Sequence, residues 1–187
     1  MNYDCKSDLR NEFEDGNVLV PVDASLHHGI IGNNINSEIN NLLKNRDSSC
    51  ISINGDVKVY IEKAASFVYP DGMVVCGGIE TSEQDEHSVI NPTLLIEVLS
   101  KSTERCDRGD KFHKYCSLDS FCEYVLINQY KPVVDTLFRV DNSYWKMVTT
   151  IGLDASIYLH SIDAHIKMKD IYRNIDNLDH PPFQLDS

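Results

Sequence analysis

The sequence has no apolar stretch that approaches the roughly 20 residues of a membrane-spanning helix. Its first residues, Met1 to Lys6, also lack the cationic region and apolar run of a secretory signal. The six cysteines form no C-x-x-C pair and no Cys/His spacing typical of a zinc site. We therefore expect a cytoplasmic protein without a membrane partner, in which most cysteines are reduced.

Positive charge is scarce as well. The chain has 17 Lys and Arg against 29 Asp and Glu, and its net charge of −12 repels nucleic acid at long range. The segment 101–114 is an exception, because its five cations and three anions give it a net charge of +2. A basic face on an acidic body would bind nucleic acid weakly and in a salt-sensitive manner.

Internal repeats and low-complexity tracts are also lacking. The chain of 187 residues is 42% hydrophobic and 25% charged, which is typical of a globular protein. This length suffices for one well-buried domain but is short for two. We expect a single domain over residues 1–187, with 1–12 and 176–187 loosely ordered.

The order of apolar segments predicts a mixed α/β fold, with a central mixed β-sheet flanked by helices. A helix is expected from about residue 30 to 46, a strand at 67–76, and a strand, helix and parallel strand across 93–128. The Asn-Gly-Asp and Asp-Asn sequences at 54–56 and 141–142 predict two hairpins. The acidic stretch 80–86 is interpreted as a surface loop.

The central feature is the stretch 93–115, in which Glu97 interrupts the apolar run Leu94 to Leu99. Such a run is typical of a buried strand. A carboxylate in a buried strand costs several kcal/mol unless it is paired or bound to a metal. Glu97 therefore needs a partner.

Candidate partners lie on both sides of this strand. Asp71 stands at the entry to another apolar run, and Asp107, Lys111 and Tyr115 recur every four residues, which places them on one helical face. Two carboxylates provide hard oxygen ligands for Mg²⁺, with main-chain carbonyls and water completing its shell. A nearby ammonium can steady an attacking hydroxide or a phosphate. The set is that of a metal-dependent phosphodiesterase.

The same residues carry a resemblance. Three motifs follow one another along the chain: Pro-Asp71, Glu97-Val-Leu-Ser and Asp107-x-x-x-Lys111-x-x-x-Tyr115. Together they resemble the Uma-two family of restriction endonuclease-like proteins, a branch of the PD-(D/E)XK nuclease superfamily. The similarity runs from about residue 14 to 172. It implies a restriction-endonuclease-like core, with Asp71 and Glu97 as ligands of Mg²⁺ or Mn²⁺ and Lys111 as the active-site lysine.

The superfamily's lysine lies two residues after the acid, where this chain has Leu99. Lys111 would therefore have to reach the site from the following helix.

Further residues are supporting candidates. Arg105 and Arg108 are candidate phosphate contacts, or simply solvated helix arginines. Asp107 either orients the lysine or merely pairs with it. Tyr115 is expected to pack rather than react. His28, near the start of the first helix, resembles a histidine that recurs in the family and is expected to be structural or supporting.

The leading hypothesis is a Mg²⁺- or Mn²⁺-dependent endonuclease that cleaves DNA and acts, by analogy with double-strand cutters, as a homodimer. RNA or branched DNA is an alternative substrate that composition does not exclude. A second alternative is a catalytically inactive binding or regulatory module that retains the fold. The acidic net charge and Leu99 motivate this alternative.

Overall fold

The computed structural model of the chain describes residues 12–14, 17–19, 25–46 and 48–180. It has two six-stranded sheets, a two-stranded hairpin and several helices, which confirms the predicted mixed α/β fold. Every helix in these ranges is too short or too polar to cross a membrane. Of the ends expected to be loosely ordered, 1–11 and 181–187 lie outside the described residues, whereas Asp179 donates its N–H to the Tyr130 carbonyl at 2.7 Å.

The strands are numbered along the chain. The central sheet contains β3 (Cys50–Asn54), β6 (Gly72–Cys76), β9 (Leu94–Leu99), β10 (Glu123–Asn128), β11 (Val133–Arg139) and β12 (Trp145–Ile151), in the order β12-β11-β10-β9-β6-β3. Its β9 and β10 are parallel and its other pairs are antiparallel.

The second sheet and the hairpin contain the shorter strands. The sheet comprises β1 (Glu12–Glu14), β2 (Asn17–Leu19), β4 (Lys58–Ile61), β5 (Ser66–Val68), β7 (Thr81–Ser82) and β8 (Asp85–Val89), in the order β2-β1-β5-β4-β8-β7. The hairpin pairs β13 (Ser156–Leu159) with β14 (Ala164–Lys167).

The helices are α1 (Leu26–Asn45), α2 (Glu104–Cys106), α3 (Phe112–Tyr115) and α4 (Met168–Ile171). A π-helical turn, Asp107–Lys111, joins α2 to α3, so the chain is helical from Glu104 to Tyr115. This segment connects β9 to the parallel strand β10, and the predicted strand, helix and strand are confirmed.

Side-chain alternation along β9 determines what each face contacts. Ile96 and Val98 belong to the apolar cluster that includes Ile35 of α1, whereas Leu95 and Leu99 belong to the cluster that includes Tyr115 of α3. Because side chains point to opposite faces with a period of two, Glu97 shares the face of Leu95 and Leu99. The strand therefore turns its carboxylate toward the helix that follows it.

Three predictions about the first half of the chain are wrong. The Asn54-Gly55 sequence does not join a hairpin, because β3 pairs with β6 in the central sheet and β4 pairs with β5 and β8 in the other. The segment 67–76 is divided between β5 and β6, with Pro70 at the division. The acidic stretch 80–86 is mostly exposed as expected, but it is not a loop, because it contains β7 and the start of the antiparallel strand β8. In each case the local pattern is extended, but long-range pairing selects the partner.

The expectation of reduced cysteines needs a partial correction. Cys50 and Cys76 are directly opposite in the β3–β6 register and form a disulfide bond. Their distance in sequence concealed the pairing, because no short spacing marks it. Cys116 and Cys122 are free thiols.

Candidate active site

Glu97 is the centre of a buried polar cluster, with only 3% of the residue exposed. Its Oε1 accepts a hydrogen bond from the Tyr115 hydroxyl at 2.9 Å and one from the Lys111 ammonium at 3.3 Å. Both donors come from the helical segment after β9. These partners of the buried carboxylate are two of the three residues that the four-residue spacing placed on one helical face.

Asp71 lies just before β6 and is held by main-chain contacts on two sides. Its N–H donates to the Ile96 carbonyl at 2.9 Å, and its own carbonyl accepts from Asn36 Nδ2 at 3.0 Å. The side-chain Oδ2 accepts the Val98 N–H at 2.7 Å. An aspartate fixed in this way cannot swing freely away from β9.

The strand register brings the two acids together. Gly72 follows Asp71 and is opposite Ile96, which precedes Glu97, in the antiparallel β6–β9 pair. Asp71 itself bonds to β9 on both sides of Glu97, because its N–H donates to the Ile96 carbonyl and its Oδ2 accepts the Val98 N–H. The acid before one strand is thus held next to the segment of the neighbouring strand that contains the other acid.

Lys111 lies between two carboxylates. Its Nζ is 3.3 Å from Glu97 Oε1 and 3.4 Å from Asp107 Oδ1, and only 8% of the lysine is exposed. The Asp107 contact is an ion pair without the geometry of a hydrogen bond. The π-helical turn buries both Asp107 and Lys111 on the side of the sheet, and single π-helical turns occur frequently at functional sites.

The charge of one acid in the cluster affects the pKa of another. Burial raises the pKa of Asp107, and the charge of Asp71 raises it further, while Lys111 and a hydrogen bond from Thr103 act in the opposite direction. The net pKa of Asp107 is raised. The site thus concentrates carboxylates around one ammonium, and the surplus negative charge favours a bound cation.

His28 adds an imidazole to the site. Its Nε2 lies 3.2 Å from Asp71 Oδ2, and its backbone N–H donates to the Ser25 hydroxyl that caps α1. Burial lowers the pKa of His28, but the hydrogen bond to Asp71 and the charges of Asp71 and Asp107 outweigh this effect, so the pKa is raised. The residue expected to be structural or supporting is thus in direct contact with Asp71.

The oxygen donors expected from the sequence are of the kind that a hard divalent cation prefers. They are the carboxylates of Asp71 and Glu97 and a main-chain carbonyl near Val98, whose N–H contacts Asp71. No group of three or more His, Cys, Asp or Glu side chains in the described ranges has the arrangement of a metal site. A magnesium-type site here would therefore rest on two carboxylates, a carbonyl and water, as Mg²⁺ commonly does.

The two arginines lie apart from this cluster. Arg108 Nη1 contacts Asp135 Oδ2 of β11 at 2.7 Å, and its Nε contacts Glu104 at 2.9 Å. Asp135 also accepts a hydrogen bond from the Thr149 hydroxyl at 2.6 Å. Arg108 thus ties the helical segment to the sheet. Arg105 is exposed.

Sequence reasoning missed two polar residues that support the site. Gln129, 1% exposed, donates to the Leu99 carbonyl at 3.0 Å and accepts from Ser25, and so links β9 to the start of α1. Asn36 of α1 holds the Asp71 carbonyl. The available signal was a polar side chain inside or directly after an apolar run, which also marked Glu97.

Comparisons with known proteins identify a family and a similar fold. A family model named Uma2 and described as "Putative restriction endonuclease" matches residues 3–162. Two uncharacterized proteins of Synechocystis sp. are each 27% identical: sll1609 over 79% of this chain and 82% of its own, and slr1290 over 94% and 90%. The crystal structure of "a putative nuclease belonging to DUF820" from Anabaena variabilis covers 87% of this chain and 89% of its own, with a TM-score of 0.69 and 18% identity. At this identity the structural likeness shows the fold alone.

Proposed function

Because the chain belongs to the Uma2 family of restriction endonuclease-like proteins, we propose that it is a metal-dependent endonuclease that hydrolyses phosphodiester bonds, with DNA as the expected substrate. The family and the fold support a nuclease. The observation that carries the finer proposal is the buried Glu97, which contacts Lys111 and lies between the two β9 residues that bond to Asp71.

In the proposed site, Asp71, Glu97 and the Val98 carbonyl would hold Mg²⁺ or Mn²⁺. Such an ion lowers the pKa of a bound water and polarises a phosphoryl oxygen. Lys111 presents its ammonium to the negative charge that develops on the attacked phosphate. Asp107 keeps that ammonium in place, and the Tyr115 hydroxyl orients the Glu97 carboxylate.

His28 controls the Asp71 carboxylate in this proposal. The raised pKa of His28 favours protonation of the imidazole, which lies 3.2 Å from Asp71 Oδ2 and would then offset the charge of that carboxylate. Cation binding would oppose this protonation, because a divalent ion and an imidazolium do not share one carboxylate oxygen favourably.

The nucleic acid would be contacted from the helical segment after β9. Arg105 is exposed there and remains a candidate phosphate contact, whereas Arg108 would first have to release Asp135 and Glu104. Phosphate contacts of this kind orient a substrate without reading its sequence. Binding should therefore weaken as salt is raised. A homodimer and a cytoplasmic location complete the proposal.

The test compares Asp71→Asn and Glu97→Gln with the unchanged protein on plasmid DNA, single-stranded RNA and branched DNA, each with Mg²⁺ or Mn²⁺. Both variants keep the size of the side chain but remove a ligand charge. We expect cleavage to fall about 100-fold or more, since even outer-shell partners of a metal are worth about 10- to 100-fold. Glu83→Gln, an exposed acid on the second sheet, is the matched control. Undiminished cleavage by either site variant would end the proposal.

A second candidate function is a binding or regulatory module without catalysis. It is favoured by the fact that Lys111 and Tyr115 already engage Glu97, and His28 already engages Asp71. Such a site satisfies its own charges and has no need of an ion. Titration with Mn²⁺ by calorimetry separates the two candidates: binding that is lost in Glu97→Gln supports the nuclease, and the absence of binding supports the module.

A further inference from the structure

The β11–β12 hairpin and the turn after it carry an unusual share of the exposed apolar side chains. β12 is the last strand of the central sheet, and within the described ranges only β11 pairs with it. Eight large apolar side chains are exposed in these ranges, and five of them lie on the β11–β12 hairpin and the turn after it: Val140, Tyr144, Met147, Val148 and Leu153. An exposed apolar sheet edge invites another strand.

Hydrogen bonds at the two ends of β12 show which of its main-chain groups point toward β11. Val140 donates its N–H to the Tyr144 carbonyl at 2.9 Å, and Gly152 donates to the Pro132 carbonyl at 2.9 Å. In an antiparallel pair, residues bonded to one neighbour alternate with residues that face away from it. Even-numbered positions of β12 therefore bond to β11. The residues whose N–H and C=O groups face the open edge are Trp145, Met147, Thr149 and Ile151.

A second copy of this chain fits that edge when a two-fold axis passes through Val148. Antiparallel pairing in this register places Met147 opposite Thr149 of the second copy, and Trp145 opposite its Ile151. All four outward-facing residues then exchange main-chain hydrogen bonds. The pairing also joins an aromatic to a β-branched side chain on each side of the axis, which is a favourable cross-strand pair.

Charge supports the same pairing. Two chains of net charge −12 repel each other, so an interface between copies needs a surface without carboxylates. β12 has a single charged residue, Lys146, and the register about Val148 places it opposite Thr150. At the other end of the sheet, β3 is shorter, and it exposes Ile51 as its one large apolar side chain.

We propose that β12 is the interface of a symmetric dimer, in which two copies pair antiparallel about Val148 and form one continuous sheet. The proposal does not depend on the nuclease assignment, since no residue of the candidate active site takes part in the pairing. It names the occupant of the edge as a second copy of this chain.

The test measures the mass of the full chain by sedimentation velocity over a range of protein concentrations, without metal or nucleic acid. The unchanged protein should be a dimer. Val148→Lys and Val148→Glu should each raise the dissociation constant about tenfold or more, because the axis places two like charges directly opposite each other. An equal mixture of the two variants should regain the dimer, because opposite charges then meet.

Ile51→Lys is the matched control, since Ile51 on the opposite edge is 43% exposed and Val148 is 42% exposed. This variant should remain a dimer, and circular dichroism should show that all variants are folded. The proposal is overturned if the unchanged protein is a monomer at every concentration, or if Val148→Lys leaves its dimer intact. It is also overturned if the mixture of opposite charges stays monomeric.

Discussion

Replacing Lys111 with Met should destabilise the protein more than any ordinary surface change, whatever the substrate of the enzyme. Methionine has a similar length and no charge, so the substitution removes the ammonium with little loss of packing. It leaves Glu97 and Asp107, which are 3% and 2% exposed, without their shared counter-charge. Both carboxylates would then be buried beside each other.

The magnitude can be worked from the two distances. At 3.3 and 3.4 Å, each ion pair of Lys111 is worth about 5 kcal/mol at an effective dielectric constant of about 20. Desolvation of the three groups offsets much of this attraction. Removal of one partner from a buried pair has a net cost of about 3–5 kcal/mol, and we expect a loss in this range for Lys111→Met.

The assay is urea unfolding at neutral pH, read by fluorescence of Trp145 and by circular dichroism. Addition of Glu97→Gln to the methionine variant should recover part of the loss, because one of the two unpaired charges disappears. The coupling free energy of this double-mutant cycle should be at least about 1 kcal/mol. Lys63→Met, at an exposed lysine far along the chain, is the control and should change stability by less than about 0.5 kcal/mol. If Lys111→Met lowers the free energy of unfolding by less than about 1 kcal/mol and shows no coupling to Glu97, the interpretation that Lys111 is held between two acids is refuted.

The remaining predictions concern the surroundings of the same site and a second buried acid. Tyr115→Phe should lower the free energy of unfolding by about 1.5–3 kcal/mol in urea titrations, since its hydroxyl donates to a buried carboxylate; an unchanged midpoint would contradict that bond. Gly72→Ala should reduce the rate of cleavage more strongly than it reduces the free energy of unfolding. The new Cβ would lie 2.3 Å from Asn36 Oδ1 and displace the amide that holds Asp71. Burial raises the pKa of Glu123 above its usual 4.5, so its contribution to stability is greatest below that pH and declines as pH rises through the raised pKa. Glu123→Gln should reduce the change in the free energy of unfolding over this pH range. A pH profile parallel to that of the unchanged protein would contradict the raised pKa of Glu123.

Much of the central sheet was predictable because its signals are local. The apolar run of β9, the polar segment after it and the apolar run of β10 predict a parallel crossover, which the structure confirms. The four-residue spacing of Asp107, Lys111 and Tyr115 places them on one helical side in any helix. The contacts of Lys111 and Tyr115 with Glu97 then follow from the short connection between strand and helix.

The first half of the chain was predicted less well, for a physical reason. Extended patterns report that a segment is half-buried, but the partner strand is selected by packing between residues far apart in sequence. Gly55 illustrates the point: a Cβ there would lie 2.9 Å from the Pro70 carbonyl, so the turn packs against the segment that leads to Asp71. The Asn54-Gly55 sequence, which predicted a hairpin, thus lies where the chain passes from the central sheet to the second sheet.

The sequence by itself determined which residues could carry the chemistry, because a carboxylate inside an apolar strand requires partners and a helix places them at fixed intervals. Only the tertiary structure decided that Asp71 bonds to β9 on both sides of Glu97 and that His28 contacts Asp71. These contacts join α1, β6 and β9, which are separated by long stretches of chain. The geometry of these contacts depends on strand register and helix packing, and neither can be recognised from the residues that are adjacent in sequence.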